Sequence, residues 1–208
     1  MKLYYAPASP YVRKVVILLH ETGLEPGVER ISSTTTPMKS DSALRKSNPL
    51  MKLPALILDS GETLYDSRVI CEYLDTTFAG GRFFPAAPTA RWTALRRQSL
   101  ADGLLDAGLI VRYETKMRPP EKLWEEWRSG QWAKVTGAAS EMEHEAPQFG
   151  DSFDIGTIAI ACALGYLDFR YPEFDWRDDR PVLAAWFARF SERPSLQKTV
   201  PTLQPAGR

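Results

Sequence analysis

Apolar residues recur along this chain with two different periods, and the change from one to the other divides it. Up to about residue 80, short apolar runs of strand length alternate with helical spacing, whereas beyond it the helical period stands alone. Residues 1–6 are a strand candidate closed by Pro7. Over 10–22, Val12, Val15, Val16 and Leu19 follow one helical face, and Gly23 stops it. Residues 28–32 read as a second strand, followed by a polar loop at 34–37 and a short helix near 38–46. Residues 55–58 and 62–64 read as a hairpin turning at Asp59, Ser60 and Gly61. Asp66 then opens a helix with Val69, Ile70, Tyr73, Leu74 and Phe78 as its apolar face.

Strand, helix, strand, helix, strand, strand, helix is a thioredoxin-like layout, in which the first crossover is right-handed and parallel and the hairpin adds antiparallel strands. The segment 80–88 reads as a linker tethered by Phe83 and Phe84. Helices are expected at 89–117, at 121–145 after the Pro119-Pro120 break, at 154–169 and at 181–192. The third of these is apolar all round and so belongs at the centre of its bundle. The domain expectation is 1–79, a linker at 80–88, and an all-helical 89–208.

Composition changes this picture little. The 208 residues hold 44% hydrophobic and 25% charged side chains, ordinary for a globular chain. Lys plus Arg equals Asp plus Glu at 26 each, so the overall field does not select nucleic acid, an anionic membrane or acidic substrates. No apolar stretch approaches the ~20 residues of a membrane span, and no signal-peptide pattern opens the chain, so a cytoplasmic protein is expected. Cys71 and Cys162 lie far apart in helical patterns, and His20 and His144 lack the neighbours of a triad, so neither a metal site nor a redox pair is signalled.

Three places can carry chemistry. Ser9-Pro10 reads as a helix start, with serine at the N-cap and proline at N1. It also reads as an anion site, because free N–H groups and the positive dipole end lie there and a serine hydroxyl could donate to a thiolate. Leu53-Pro54, leading into the third strand, marks an edge or sharp turn; if cis, it exposes the Leu53 N–H and C=O to an extended ligand. Asp66-Ser67 reads as helix capping, or as a pair that holds an ammonium on Asp66 and a carboxylate on Ser67 and the first-turn amides.

Taken in order, Lys2-Leu3-Tyr4-Tyr5 with Ser9-Pro10, the run Ser47-Asn48-Pro49-Leu50-Met51-Lys52-Leu53-Pro54-Ala55-Leu56, and Tyr65-Asp66-Ser67-Arg68-Val69-Ile70-Cys71-Glu72-Tyr73-Leu74 resemble the amino-terminal domain of cytosolic glutathione S-transferases of the serine type. The helical remainder resembles that family's second domain. The resemblance implies a glutathione S-transferase fold, a cis Pro54, glutathione as co-substrate, no metal, and a two-fold homodimer. It places the thiolate at Ser9, the cysteinyl backbone at Leu53, the glycyl carboxylate at Lys52 and the γ-glutamyl end at Asp66 and Ser67. Tyr5 is a rival for the thiol, with core packing as its other reading.

The activity so implied is attack of the glutathione thiolate on a small electrophile. The alternatives are a glutathione-binding or regulatory protein on the same scaffold, and a glutathione-dependent disulfide reductase, against which serine at position 9 counts. Asp102, Asp106 and Tyr113 share one helical face, opposite Leu100, Leu104, Ala107 and Val111. That face is solvated, lines the electrophile cleft, or meets a partner subunit, where Asp102 reaches the neighbour's γ-glutamyl ammonium. Where the family carries a Ser or Thr N-cap with an Asp three residues on, this chain has Asp154 and Thr157 in exchanged order, which makes Thr157 the poorer reciprocal partner.

Overall fold

The computed structural model describes residues 1–39 and 41–203, which form two compact units. In chain order the elements are β1 (Lys2–Tyr5), α1 (Pro10–Glu21), β2 (Glu29–Ser32), α2 (Ser42–Ser47), β3 (Ala55–Ile57), β4 (Thr63–Leu64), α3 (Ser67–Leu74), α4 (Pro88–Lys116), α5 (Glu125–Glu145), α6 (Ile155–Arg170), α7 (Pro181–Phe190) and α8 (Pro194–Gln197). Unit 1 runs over Met1–Ala87 and takes back the chain from Arg193; unit 2 is Pro88–Glu192.

Unit 1 is built on one mixed sheet of order β2-β1-β3-β4, with β1 parallel to β2 and antiparallel to β3. Side chains alternate across it. Leu3 and Leu56, paired in register and fully buried, point to one face. Tyr4, Ile31, Ala55 and Ile57 point to the other, where they pack with Leu44 of α2. The helices α1 and α3 lie together, and α1 buries an unbroken run from Val12 to Leu19.

The inner face of α3 is Ile70, Cys71 and Leu74, not the whole of the expected stripe, for Val69 and Phe78 are about half exposed. Two apolar stripes occur on this short helix, and only one of them faces the core. After Leu74 the chain makes a wide π-type turn over Asp75–Ala79. The short helix near residue 40 starts later than expected, because the Asp41 carboxylate accepts from Ala43 and Leu44 and so sets its first turn.

All of the expected linker but Pro88, which opens α4, belongs to unit 1. The buried Asp75 carboxylate accepts from the amides of Phe83 (2.8 Å) and Phe84 (3.0 Å), whose rings are buried beside it. The terminal segment likewise leaves the helical unit: Arg13 donates to the Leu196 carbonyl at 3.2 Å, and Ser195 Oγ to Glu21 at 2.7 Å.

In unit 2, α4 packs against both α5 and α6, and α6 is buried from Ile155 to Leu167. Asp154 accepts from the amides of Gly156 and Thr157, while Thr157 Oγ1 accepts from the Asp154 amide at 3.1 Å, so the exchanged pair closes a complete capping box. Glu145 takes Arg96 through both carboxylate oxygens and Arg97 at 3.0 Å. Among the described residues no helix is long and apolar enough to cross a membrane.

Candidate functional site

The sheet brings the three sequence motifs to one edge. Tyr4 pairs with Ala55 and Leu56 with Leu64, so the carboxyl ends of β1 and β4 and the amino end of β3 lie side by side. Ser9 follows β1, Lys52 to Pro54 precede β3, and Asp66 and Ser67 follow β4.

Ser9 is the N-cap of α1, and its Oγ accepts from the Val12 amide at 3.3 Å. That bond uses a lone pair and leaves the hydroxyl hydrogen to be donated elsewhere. No acid sits in the first turn of this twelve-residue helix, so its positive end is not neutralised locally. Tyr4 is a core residue that accepts from Ser47 Oγ at 3.5 Å, and Tyr5 is half-buried with the Arg30 guanidinium 5.0 Å from its ring.

The Leu53–Pro54 bond is cis, as is Tyr65–Asp66. Lys52 is exposed and Leu53 half-buried. The loop that carries them is held by Asn48, a residue the sequence did not single out. Its buried amide donates to the Lys52 carbonyl at 2.8 Å and accepts from the Leu50 amide at 3.0 Å, and Thr35 Oγ1 donates to the Met51 carbonyl at 3.0 Å. The Asn-Pro dipeptide was the available signal, since asparagine before a turn bonds its own backbone two residues on.

Asp66 is exposed at the N-cap of α3, with Oδ1 accepting from the Arg68 amide at 2.8 Å. Ser67, the first helical residue, is buried. Capping occupies one Asp66 oxygen and leaves the other open to a cation, so the two readings of this pair are compatible.

In unit 2 the three residues expected to share a face have different surroundings. Asp102 is buried, Asp106 exposed and Tyr113 half-buried, so the face is not solvated along its length. Burial raises the Tyr113 phenol above its ordinary range, against the opposing pull of the Arg112 charge.

Against known families, the model for the N-terminal domain of glutathione S-transferases matches residues 3–82, and the model for the C-terminal domain matches 125–189. The chain belongs to the glutathione S-transferase family. It is 33% identical over 204 residues to the GST-like protein YibF of Escherichia coli K12, covering 97% of this chain and 98% of that one. A glutathione transferase family member from Pseudomonas fluorescens Pf-5, solved with bound glutathione, is 49% identical with a TM-score of 0.94, covering 97% of this chain and 99% of that one. A second Pf-5 structure, with bound S-(propanoic acid)-glutathione, is 48% identical with a TM-score of 0.89 and covers 98% and 100%. The fold expected from the transferase resemblance is therefore the fold of the chain.

Proposed function

We propose that this transferase binds glutathione at the shared strand edge of unit 1, lowers the pKa of its thiol at Ser9, and directs the thiolate at a small electrophile. The observation that carries the reading is the Ser9 hydroxyl, which accepts from its own helix and keeps its hydrogen for a ligand. The glutathione-bound relative at 49% identity supports glutathione as the ligand.

A free thiol ionises near pH ~8.5, and each unit of lowering is about 1.4 kcal/mol of preference for the thiolate. A hydroxyl donor at the positive end of α1 supplies that preference, because both act on the charged form alone. The thiolate attacks an electrophilic carbon and forms an S–C bond. The electron pair displaced leaves with a leaving group or, from an activated double bond, is quenched by a proton from water. In this reading Lys52 pairs with the glycyl carboxylate, the Leu53 backbone with the cysteinyl unit, and Asp66 and Ser67 with the γ-glutamyl end. Unit 2 supplies the electrophile contacts, with Tyr113 among them.

A two-fold homodimer goes with this reading. Its support is the apolar surface one copy leaves open: Leu50, Val69 and Phe78 on unit 1, and Trp92 on unit 2. Asp102 and Asp106 then face the electrophile or the partner's ligand.

The test is an ultraviolet titration of the bound thiolate in wild type and Ser9→Ala. The reading expects the Ser9→Ala transition at higher pH with glutathione affinity largely kept, whereas Asp66→Ala weakens affinity with less effect on the chemical step. An unchanged thiolate titration returns Ser9 to capping alone, and retention on a glutathione column without conjugation of any electrophile makes the protein a binder.

A further inference from the structure

At one end of the α4–α6 pair the side chains leave polar groups unmade. The two helices run the same way: Gly156 at the start of α6 lies against Ala94 and Arg97 near the start of α4, and Tyr166 near the end of α6 lies against Gly108 further along α4. One turn beyond these contacts stand Arg112 on α4 and Arg170 on α6, so both arginines sit at the same end of the pair. Tyr171 completes the group. Its hydroxyl donates to the Gly108 carbonyl, and its ring lies edge-on to Tyr166 with centroids 6.4 Å apart.

Tyr166 is 2% exposed, and its hydroxyl has no hydrogen-bond partner among the described residues. The buried Nε of Arg170 has none either. No carboxylate pairs with Arg112 or Arg170 among the described residues; the charges and phenols acting on Arg170 are Arg112, Tyr166 and Tyr171. Burial, and after it the like charge of Arg112, pulls Arg170 below its ordinary range. Burial pushes the Tyr166 phenol up to about 12, so it stays a hydrogen donor at neutral pH. A fold rarely leaves two buried donors unmade beside two like charges. The partner that resolves all of these at once is an anion with at least two acceptor oxygens.

A planar guanidinium fork and a phenol suit a carboxylate. The surroundings are aromatic as well: Trp132 lies 5.0 Å from Tyr171 and 5.0 Å from Phe174 between ring centroids, and Arg170 lies over Phe169. Such walls favour an organic acid over a free inorganic ion. We infer that Arg112, Arg170 and the Tyr166 hydroxyl form a site within unit 2 for the carboxylate of a small organic acid.

The experiment is saturation-transfer NMR with propanoate and the neutral propanamide on wild type, Arg112→Met and Tyr166→Phe. Wild type is expected to show transfer to propanoate and not to propanamide, the signal to vanish in Arg112→Met and to fall by about threefold in Tyr166→Phe. Arg112 is partly exposed and Tyr166→Phe removes one atom, so both variants are expected to fold, which circular dichroism checks. No transfer to wild type, equal transfer to both compounds, or a preference that survives in both variants overturns the inference.

Discussion

The α4–α6 contact contains two glycines for which the same substitution should act in opposite directions. An alanine Cβ at Gly156 would lie 2.6 Å from the Ala94 carbonyl oxygen, 2.8 Å from Arg97 Cβ and 3.0 Å from Ala94 Cα. Two of those atoms are backbone and cannot rotate aside, so α6 must shift by several tenths of an ångström along its whole buried face. Overpacking of this kind costs about 1–3 kcal/mol. The gain of Ala over Gly, about 1 kcal/mol in a helix interior, is smaller in the first turn, where Gly156 sits. At Gly108 the added Cβ meets Tyr166 and Tyr171 ring carbons at 3.7 Å, ordinary contact, so the helical gain is kept there. With the first-turn gain at Gly156 taken as about half a kcal/mol, and at ~2–4 °C per kcal/mol for a chain of this size, Gly156→Ala should melt roughly 1–10 °C below wild type and Gly108→Ala up to about 4 °C above it. Thermal unfolding followed by circular dichroism reads both. A Gly156→Ala protein that melts with or above wild type would refute the close approach of the two helices.

Asp75→Ala leaves the buried amides of Phe83 and Phe84 without an acceptor and should destabilise by roughly 2–5 kcal/mol, with Asp75→Asn intermediate, as read by urea denaturation. Burial works to raise the Glu145 pKa, but the hydrogen bonds from Arg96 and Arg97 prevail and hold it below the usual carboxylate range. A folded pKa below the unfolded one means stability present at neutral pH that drains as pH falls from about 5 toward 2, so the stability gap between wild type and Glu145→Gln should narrow on acidification in urea midpoints. With no ligand bound, Tyr166→Phe removes an unmade buried hydroxyl and should raise stability by about 1 kcal/mol, measured the same way; a loss of that size would mean the hydroxyl is already bonded.

Much of unit 1 was legible because its signals are local. Val12, Val15, Val16 and Leu19 mark α1 and Ser9 its cap, and the three motifs fall in order at one strand edge. Unit 2 was legible where period or cap was strong, as in α4 and in α6 behind Asp154. What was not legible depends on partners distant in sequence. Val69 and Ile70 are equally apolar, and only packing decides which faces the core. Asp75 looks like any acid after a helix until the chain returns to it at Phe83. Arg170 lay one residue past the expected end of its helix, and Tyr166 passed as one more core aromatic, so nothing marked the carboxylate site. Asp102 and Asp106 share a helical phase, yet phase does not reveal which of them is covered.

The return of the terminal segment to α1 makes the helical unit an insertion within unit 1. During synthesis the sheet, α1 and α3 are complete long before Ser195 and Leu196 exist to meet Glu21 and Arg13. At ~5–20 residues per second, the hundred or so residues between them occupy the ribosome for roughly 5–20 s. For that interval the nascent unit 1 waits with one face of α1 open. The last turns of the chain thus act as a latch, closing the first-made half only after the second has been made.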